Sequence, residues 1–242
     1  MALAAAGAQS GATVARQIRI IPQQATAARS APPESMNTTQ TTVPAERCTI
    51  CLVRHGETAW NAERRLQGHI DIPLNNVGLA QAEAVADRLQ RLGQRFSAVY
   101  CSDLQRARQT AAAVMRTQEL DALNDKRLRE RHYGLFQGLT YAEAERQHPE
   151  LYHRFKQREP ALEFPQQGES LIDFAARVRA ALQDIAHRHA REQVLVVTHG
   201  GVLDIVHRLS TGDRLDTPRK IAIPNAALNW IEHADGQWKL LA

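Results

Sequence analysis

Residues 48–56 read CTICLVRHG, an apolar and β-branched run that ends in arginine, histidine and glycine. This composition predicts a buried strand with polar residues at its carboxyl end. Residues 194–201 read VLVVTHGG and repeat the order of a buried strand followed by His-Gly. Because the carboxyl ends of parallel strands meet at one edge of a sheet, where ligands bind, we expect His55 and His199 to lie side by side. A single histidine is more often a structural residue, but two His-Gly pairs, each directly after a buried strand, favour a functional site.

Apolar strands and amphipathic helices alternate along the rest of the chain. The predicted elements are a helix beginning at 75–78, a strand at 98–101, a helix over 104–117 capped by Ser102 and Asp103, a helix over 170–189 capped by Ser170, a helix over 202–210, and edge strands near 221–223 and 226–233 followed by a hairpin turn at 235–236. The first of these helices would carry Leu79, Ala82, Val85, Ala86, Leu89 and Leu92 on one side. Such alternation is typical of a parallel sheet with helices on both faces. The predicted fold class is therefore α/β, a three-layer α/β/α sandwich with a mostly parallel central sheet.

The composition excludes two classes of partner. The chain has 242 residues, of which 43% are hydrophobic and 23% charged, as in an ordinary globular protein. Its formal net charge of +4 is scattered and aromatic residues make up only 5%, which argues against nucleic acid binding. No run approaches the roughly 18 consecutive apolar residues that a membrane span needs. We therefore expect neither a nucleic acid nor a membrane as a partner.

The three cysteines are Cys48, Cys51 and Cys101, and the first two form a CxxC, a spacing found in zinc and redox sites. On a strand, residues i and i+3 point to opposite faces, so this pair cannot chelate a metal together. We expect all three cysteines to be core residues. Their odd, low number is typical of a reducing compartment and favours a cytoplasmic protein.

Residues 1–46 differ from the rest, since they are rich in Ala, Gln, Ser, Thr and Pro and hold few acids. We expect either a disordered extension or an over-extended reading frame whose true start is Met36. Arg16, Arg19 and Arg29 give this segment a weaker similarity to an organellar transit peptide.

Arginines accompany the two histidines. Arg54 directly precedes His55, and Arg106 falls in the first turn of the helix predicted over 104–117, whereas Arg108 would face solvent. Guanidinium groups bind phosphate oxygens through paired hydrogen bonds, and a helix N-terminus adds amide donors. Because no cluster of carboxylates accompanies them, the pattern predicts an oxyanion site that is already cationic and needs no metal.

Residues 52–61, LVRHGETAWN, resemble the signature of the histidine phosphatase (phosphoglycerate mutase-like) superfamily. Further blocks follow in the family's order at 66–68, 71–74, 76–80, 102–111, 128–134, 168–170 and 198–201. Together they cover about residues 48–232, and several ordered blocks are far more specific than a single Arg-His-Gly. The resemblance implies one histidine phosphatase-like α/β domain over 47–242.

The resemblance implies roles for five residues. His55 would be the nucleophile that becomes phosphorylated, with Arg54, Arg106 and His199 stabilising charge on the phosphoryl oxygens. His55 must then be neutral, with one ring nitrogen bonded to a backbone carbonyl, and Arg54 and Arg106 should lower its pKa. Glu130 would protonate the leaving oxygen and then activate the acceptor; without the resemblance we would interpret it as a surface carboxylate. Further substrate contacts would come from Asn61, Gln67, Gly68, Tyr133 and Gly200.

The family contains phosphatases, which transfer the phosphoryl group to water, and mutases, which transfer it to another hydroxyl group. Residues 130–139 resemble the mutases, but the segment 139–168 is shorter than their insertion and lacks its substrate-holding lysine and paired arginines. We therefore expect a phosphomonoesterase, a metal-independent hydrolase acting on small phosphorylated metabolites without a cofactor. The alternative is a cofactor-dependent phosphoglycerate mutase, which 2,3-bisphosphoglycerate would prime. A catalytically idle phospho-ligand-binding module is a third possibility, against which the presence of all five matching residues argues.

The segment 139–168 is predicted to form a small helical cap insertion over the site, where substrates would be selected. Its basic residues would contact a phosphate or carboxylate or, for most of them, remain solvated: Arg146, His148, His153, Arg154, Lys156 and Arg158. A monomer and a homodimer are both compatible with the sequence.

Overall fold

The computed structural model describes residues 46–241 of the chain. The extension predicted at residues 1–46 therefore lies outside the described residues, apart from Glu46, as does the proposed start at Met36. None of the helices within 46–241 is both long and apolar enough to cross a membrane.

Six strands and seven α-helices make up the described chain. The strands are β1 (Cys48–Arg54), β2 (Ala98–Cys101), β3 (Ala122–Asn124), β4 (Gln193–Thr198), β5 (Leu228–Ala234) and β6 (Gln237–Leu241). The helices are α1 (Ala59–Ala62), α2 (Asn76–Arg91), α3 (Gln105–Gln118), α4 (Tyr141–Gln147), α5 (Pro149–Lys156), α6 (Leu171–Arg188) and α7 (Gly200–Thr211), with short 3₁₀ turns at 126–128 and 134–136.

All six strands belong to one sheet with the order β3-β2-β4-β1-β5-β6. The four strands β3, β2, β4 and β1 are parallel, whereas β5 and β6 run antiparallel at the other edge. Because β1 and β4 are parallel neighbours in register, with Arg54 opposite Thr198, the residues that follow them leave the sheet side by side. The predicted three-layer α/β/α sandwich with a mostly parallel sheet is confirmed.

The sheet separates two apolar cores. One core packs β1, β2 and β4 against α6 and α7, and it contains Cys48. The other packs the opposite face against α2 and α3, and it contains Cys51 and Cys101. The two CxxC cysteines thus lie on opposite faces of β1, as the strand periodicity predicts, and burial raises the pKa of Cys48 to about 11. A third, smaller core lies under α4 and α5 and includes Phe136 and Phe164.

Several predicted details are wrong. Ser102 and Asp103 do not cap α3, whose N-cap residue is Leu104. The stretch 221–223 is not a strand. Ile223 is buried, but its carbonyl oxygen accepts a hydrogen bond from the Arg54 side chain and not from a neighbouring strand. The strand predicted at 226–233 is present as β5, but it lies between β1 and β6 and not at the edge.

Candidate active site

His55 and His199 meet at the carboxyl end of the sheet, directly after β1 and β4. Their rings lie 5.1 Å apart between centroids in an edge-to-face arrangement, and the two residues are 3% and 0% exposed. The parallel pairing of β1 with β4 sets this distance, since it places the two strand ends next to each other. The sequence prediction that these two imidazoles converge is confirmed.

The ring of His55 is fixed in one tautomer. Its Nδ1 lies 2.7 Å from the carbonyl oxygen of Gly56 and therefore carries the proton, which leaves Nε2 with a free lone pair. Burial, followed by the positive charges of Arg106 and Arg54, holds the pKa of His55 well below its usual 6.5. The expected effect of the two arginines is present, but burial is the larger cause. The imidazole of His55 is therefore neutral at physiological pH.

Arg54 and Arg106 are anchored by main-chain carbonyl groups rather than by carboxylates. Arg54 Nη1 donates to the oxygen of Ile223 at 2.5 Å, and Arg106 Nη1 and Nη2 donate to the oxygens of Ile70 and Gly68 at 2.9 and 2.7 Å. Burial lowers the pKa of Arg106 to about 10, which still leaves it charged near neutral pH. The positive charge of this pair is therefore oriented but not neutralised by an ion pair.

Three nitrogen atoms around His55 are buried without any hydrogen bond to residues 46–241. They are Nε of Arg54, Nε of Arg106 and Nδ1 of His199. His199 uses its other ring nitrogen, Nε2, for a 2.8 Å hydrogen bond with the hydroxyl group of Ser102. Buried polar groups in proteins nearly always have partners, so three unpartnered nitrogens in one place suit an anion with several acceptor oxygens.

A small cavity of about 90 Å³ opens in front of His55, and we call it the inner cavity. It is lined by Arg54, His55, Asn61, Arg65, Leu66, Gln67, Gly68, Arg106, Glu130, Tyr133 and Tyr141. Of the substrate contacts predicted from the sequence, only Gly200 does not line this cavity. It lies instead against the Arg54 side chain, where a Cβ atom would be 3.3 Å from Nε.

Glu130 is held at the rim of the inner cavity by two main-chain amides. Its Oε1 accepts a hydrogen bond from the amide of Arg131 at 2.8 Å, and its Oε2 accepts one from the amide of Gly201 at 2.9 Å. The backbone carbonyl of Glu130 is fixed in turn by Arg177 and His69. Glu130 is thus not a freely moving surface carboxylate, and it faces the same cavity as His55.

The loop that carries His55 is fixed by residues that sequence analysis missed. Asn225 donates to the carbonyl oxygen of His55 at 2.8 Å, and Thr110 in α3 accepts a hydrogen bond from the amide of Gly56 at 3.0 Å. The loop also touches the start of α2, since a Cβ atom at Gly78 would lie 2.0 Å from the carbonyl oxygen of Glu57. Asn225 lies outside the sequence blocks that resemble the family, and Thr110 lies inside one without a predicted role, because their contacts form only when the chain is folded.

A second cavity, of about 340 Å³, adjoins the first, and we call it the outer cavity. Tyr133 and Tyr141 line both cavities, so the two share a wall. The remaining lining of the outer cavity is Arg131, Phe155, Lys156, Arg158, Leu171, Phe174, Gly201, Asp204, Pro218 and Arg219. Two of the six basic residues predicted in the cap, Lys156 and Arg158, are in this lining, whereas Arg154 pairs with Glu159 at the surface. Within residues 46–241, no group of three His, Cys, Asp or Glu side chains is arranged to hold a metal ion.

Known proteins are similar to this chain in sequence and in fold. The sequence model of the histidine phosphatase superfamily (branch 1) matches residues 50–242. A protein of Arabidopsis thaliana named metal-independent phosphoserine phosphatase is 43% identical over 199 residues, which cover 81% of this chain and 81% of the relative. The phosphoglycerate mutase-like protein 4 of the same plant is 42% identical over 194 residues, which cover 79% of this chain and 82% of the relative. Among solved structures, Bacillus stearothermophilus YhfR has a TM-score of 0.74 and 34% sequence identity, with 81% of this chain and 96% of that chain covered.

Proposed function

The chain belongs to the histidine phosphatase superfamily, and we propose on that premise that it hydrolyses phosphate monoesters of small metabolites through a phosphohistidine at His55. The matched region contains both site histidines, Arg54, Arg106 and Glu130. The enzyme is thus a phosphomonoesterase, which transfers the phosphoryl group first to its own imidazole and then to water.

The observation that carries this proposal is the set of buried, unpartnered nitrogens around His55. Nε of Arg54, Nε of Arg106 and Nδ1 of His199 make no hydrogen bond within residues 46–241. A phosphoryl group in line with His55 Nε2 would supply acceptor oxygens to them, and these donors would stabilise the charge that those oxygens carry in the transition state. The donors are positioned beforehand by the backbone contacts of both arginines, so little reorganisation is needed at the moment of reaction.

The chemistry has two steps. In the first, the lone pair of His55 Nε2 attacks phosphorus while Glu130 gives a proton to the departing oxygen, which leaves as an alcohol. In the second, Glu130 takes a proton from a water molecule that attacks the phosphohistidine, and the His55 lone pair is restored. The bond from Nδ1 to the Gly56 carbonyl stabilises the ring while it carries the phosphoryl group, because it holds the proton in place. The two arginines supply the positive charge, so the proposed reaction requires neither a metal nor an organic cofactor.

A mutase remains the second candidate, because residues 130–139 resemble the mutases and one relative is named phosphoglycerate mutase-like. In a mutase, phosphorylated His55 would give its phosphoryl group to the bound monophosphate, and the resulting bisphosphate would reorient and return its other phosphoryl group to His55. Such an enzyme would need 2,3-bisphosphoglycerate to prime His55. The cap supports hydrolysis instead, since its two helices α4 and α5 span only Tyr141–Gln147 and Pro149–Lys156. Residues 139–143 have no lysine at the place where the mutases carry theirs, and no adjacent pair of arginines follows.

The test measures phosphate release and isomer formation in parallel. Wild-type protein is incubated with 4-nitrophenyl phosphate, O-phosphoserine and 3-phosphoglycerate, each with and without a chelator, and 3-phosphoglycerate also with 2,3-bisphosphoglycerate. We expect phosphate release that the chelator does not reduce, and an acid-labile phosphate label that is lost in His55→Ala. Isomer formation faster than phosphate release would identify a mutase, and a label that persists in His55→Ala would refute the nucleophile.

A further inference from the structure

The outer cavity begins where the departing part of the substrate must lie. Glu130, which faces the inner cavity, accepts a hydrogen bond from the amide of Gly201, and Gly201 lines the outer cavity. When a phosphoryl group occupies the inner cavity with its leaving oxygen at Glu130, the rest of the molecule extends past Tyr133 and Tyr141 into the outer cavity. The groups that line the outer cavity therefore meet the leaving group and not the phosphate.

Positive charge exceeds negative charge in the outer cavity. Asp204, which is 3% exposed, is its one carboxylate, and it accepts hydrogen bonds from Arg158 Nη2 at 2.7 Å, Arg208 Nε at 3.2 Å and Arg219 Nε at 3.2 Å. Burial opposes the ionisation of Asp204, but the charges of Arg219, Arg158 and Arg208 outweigh it and lower its pKa. One negative charge is thus shared by three guanidinium groups, and Lys156 adds a further positive charge to the wall.

Arg219 is the guanidinium group of this cluster that is free to bind something else. Arg158 donates hydrogen bonds from Nε to the carbonyl oxygen of Leu215 and from Nη2 to Asp204. Arg208 is 5% exposed, and all three of its side-chain nitrogens donate hydrogen bonds. Arg219 donates only from Nε, its Nη1 and Nη2 make no hydrogen bond within residues 46–241, and its side chain is 41% exposed. Arg219 lines the outer cavity together with Tyr133 and Tyr141, which also line the inner cavity.

We propose that the outer cavity binds a second anionic group on the leaving alcohol, a carboxylate or a phosphate, and that the terminal nitrogens of Arg219 bind it. This proposal rests on the proposed phosphatase reaction, whose substrate class it narrows. Asp204 holds Arg219 in place by its Nε while the terminal NH₂ groups remain directed to the ligand, and a guanidinium group pairs with carboxylate and phosphate oxygens in this way. The residue lies outside the cap and outside the sequence blocks that carry the family resemblance.

The same charge balance selects against two other kinds of leaving group. A neutral alcohol would leave the terminal nitrogens of Arg219 with water as their only partner and would gain no charge-assisted bond. A cationic amine in the cavity would face Arg158, Arg219 and Lys156 with only Asp204 as a counter-charge, and Asp204 is already shared by three arginines. We therefore expect the preferred substrates to carry at least one further negative charge beyond the phosphate that is transferred.

The test compares three phenyl phosphates that differ only at the para position. They carry a carboxylate, a phosphonate or a carboxamide, the last being an uncharged group of the same shape as the carboxylate. The kcat/KM of each is measured for the wild type, Arg219→Gln, Arg219→Lys and the control Arg214→Gln. Arg214 lies in the same loop, but its side chain is 79% exposed and pairs with Asp216 at the surface. Thermal unfolding is recorded for each variant to establish that it is folded.

We expect Arg219→Gln to lower kcat/KM about 10- to 100-fold on the two anionic substrates and less than about 2-fold on the carboxamide. The difference arises because the substitution removes a hydrogen bond to a charged partner only when the substrate is anionic. The loss should be mainly in KM, because Arg219 does not touch the reacting phosphorus. Arg219→Lys should restore part of the preference, and Arg214→Gln should retain all of it. For each substrate, the kcat/KM of the variant is divided by that of the wild type, which cancels the differences in phenol acidity between substrates. The anionic substrate with the larger loss in Arg219→Gln carries the anion that the site prefers.

Two results would overturn this proposal, and they differ from a failure of the phosphatase reaction. In Arg219→Gln, equal losses on the carboxamide and the anionic substrates, or no loss on any of them, would refute the anion site while hydrolysis itself stands. If the wild type hydrolyses none of the three substrates and His55 takes up no phosphate, the proposed reaction fails first.

Discussion

Replacing Gly201 with alanine would test the position of Glu130 without changing any charged group. A Cβ atom at Gly201 would lie 2.0 Å from Glu130 Oε1 and 3.2 Å from Cε1 of Phe174. Neither is a contact with the main chain, so the backbone of α7 can stay in place while the carboxylate moves. The substitution therefore displaces Glu130 and leaves His55 and both arginines unchanged.

The size of the effect follows from that distance. Carbon and oxygen atoms do not approach as closely as 2.0 Å, so the carboxylate must withdraw by about 1 Å from its place at the cavity rim. A misplacement of about 1 Å can reduce a rate about 100-fold, which corresponds to about 2.7 kcal/mol of transition-state stabilisation. Stability should change little, because alanine is favoured over glycine in a helix by about 0.5–1 kcal/mol, which offsets the close contact with Phe174.

The assay measures kcat for an alkyl phosphate and for 4-nitrophenyl phosphate in wild type, Gly201→Ala, Glu130→Gln and the double variant. We expect Gly201→Ala to lose about 100-fold on the alkyl phosphate and much less on the aryl phosphate, whose leaving group needs no proton. In the Glu130→Gln background, Gly201→Ala should lower kcat almost no further, since both substitutions remove the same function, proton donation by Glu130. A full additional loss in that background, or a marked fall in melting temperature, would refute the argument that Gly201 acts through Glu130.

Two further predictions concern the acid and the nucleophile. Glu130→Gln should reduce kcat by about 100-fold or more on alkyl phosphates and far less on aryl phosphates with acidic leaving groups, and an equal loss on both would contradict the role of general acid. Burial and the charges of Arg106 and Arg54 hold the pKa of His55 well below 6.5, so below about pH 6.5 the unfolded chain binds more protons than the folded protein. The free energy of unfolding should therefore decrease as the pH falls, by up to about 1.4 kcal/mol per pH unit for this histidine, and the decrease should be shallower in His55→Gln when denaturant curves are compared between pH 5 and 7. Identical slopes in the two proteins would show that His55 titrates alike in both states.

The centre of this site could be predicted from the sequence because strands carry their own signal. The apolar runs that end at His55 and His199 indicate buried parallel strands, and parallel strands bring their carboxyl ends together whatever lies between them. Arg106 could be placed for a similar reason, since it falls in the first turn of a helix that follows a third strand. These inferences depend on short, regular segments and on one general property of α/β sheets.

The outer cavity could not be predicted because its residues have no common pattern. Asp204 lies in the apolar run of α7 and Arg219 in a loop without periodicity, and Arg158 is far from both in the chain. Only the Asp204 and Arg208 pair, four residues apart on one helix, was a signal in the sequence that could have been used. Ser102 shows the opposite error, since a residue type that often caps helices serves here as the partner of His199.

The order of the sheet also escaped prediction at one edge. The hairpin turn at Asp235 and Gly236 is present, but a turn shows only that two strands are neighbours and not which of them continues the sheet. In the structure β5 pairs with β1, and this pairing brings Asn225 against the carbonyl oxygen of His55. A contact of this kind depends on the complete topology.

The inner and outer cavities share Tyr133 and Tyr141 but are otherwise built from different residues. The inner one is formed mainly at the ends of strands and at loops fixed by main-chain contacts, whereas the outer one is formed by side chains of the cap, of α7 and of the loop before β5. A change in the cap or in that loop can thus alter which molecule is accepted without moving the atoms that make and break the phosphorus bond. Such an architecture allows new specificities to evolve, or to be engineered, one exposed residue at a time on an unchanged reaction centre.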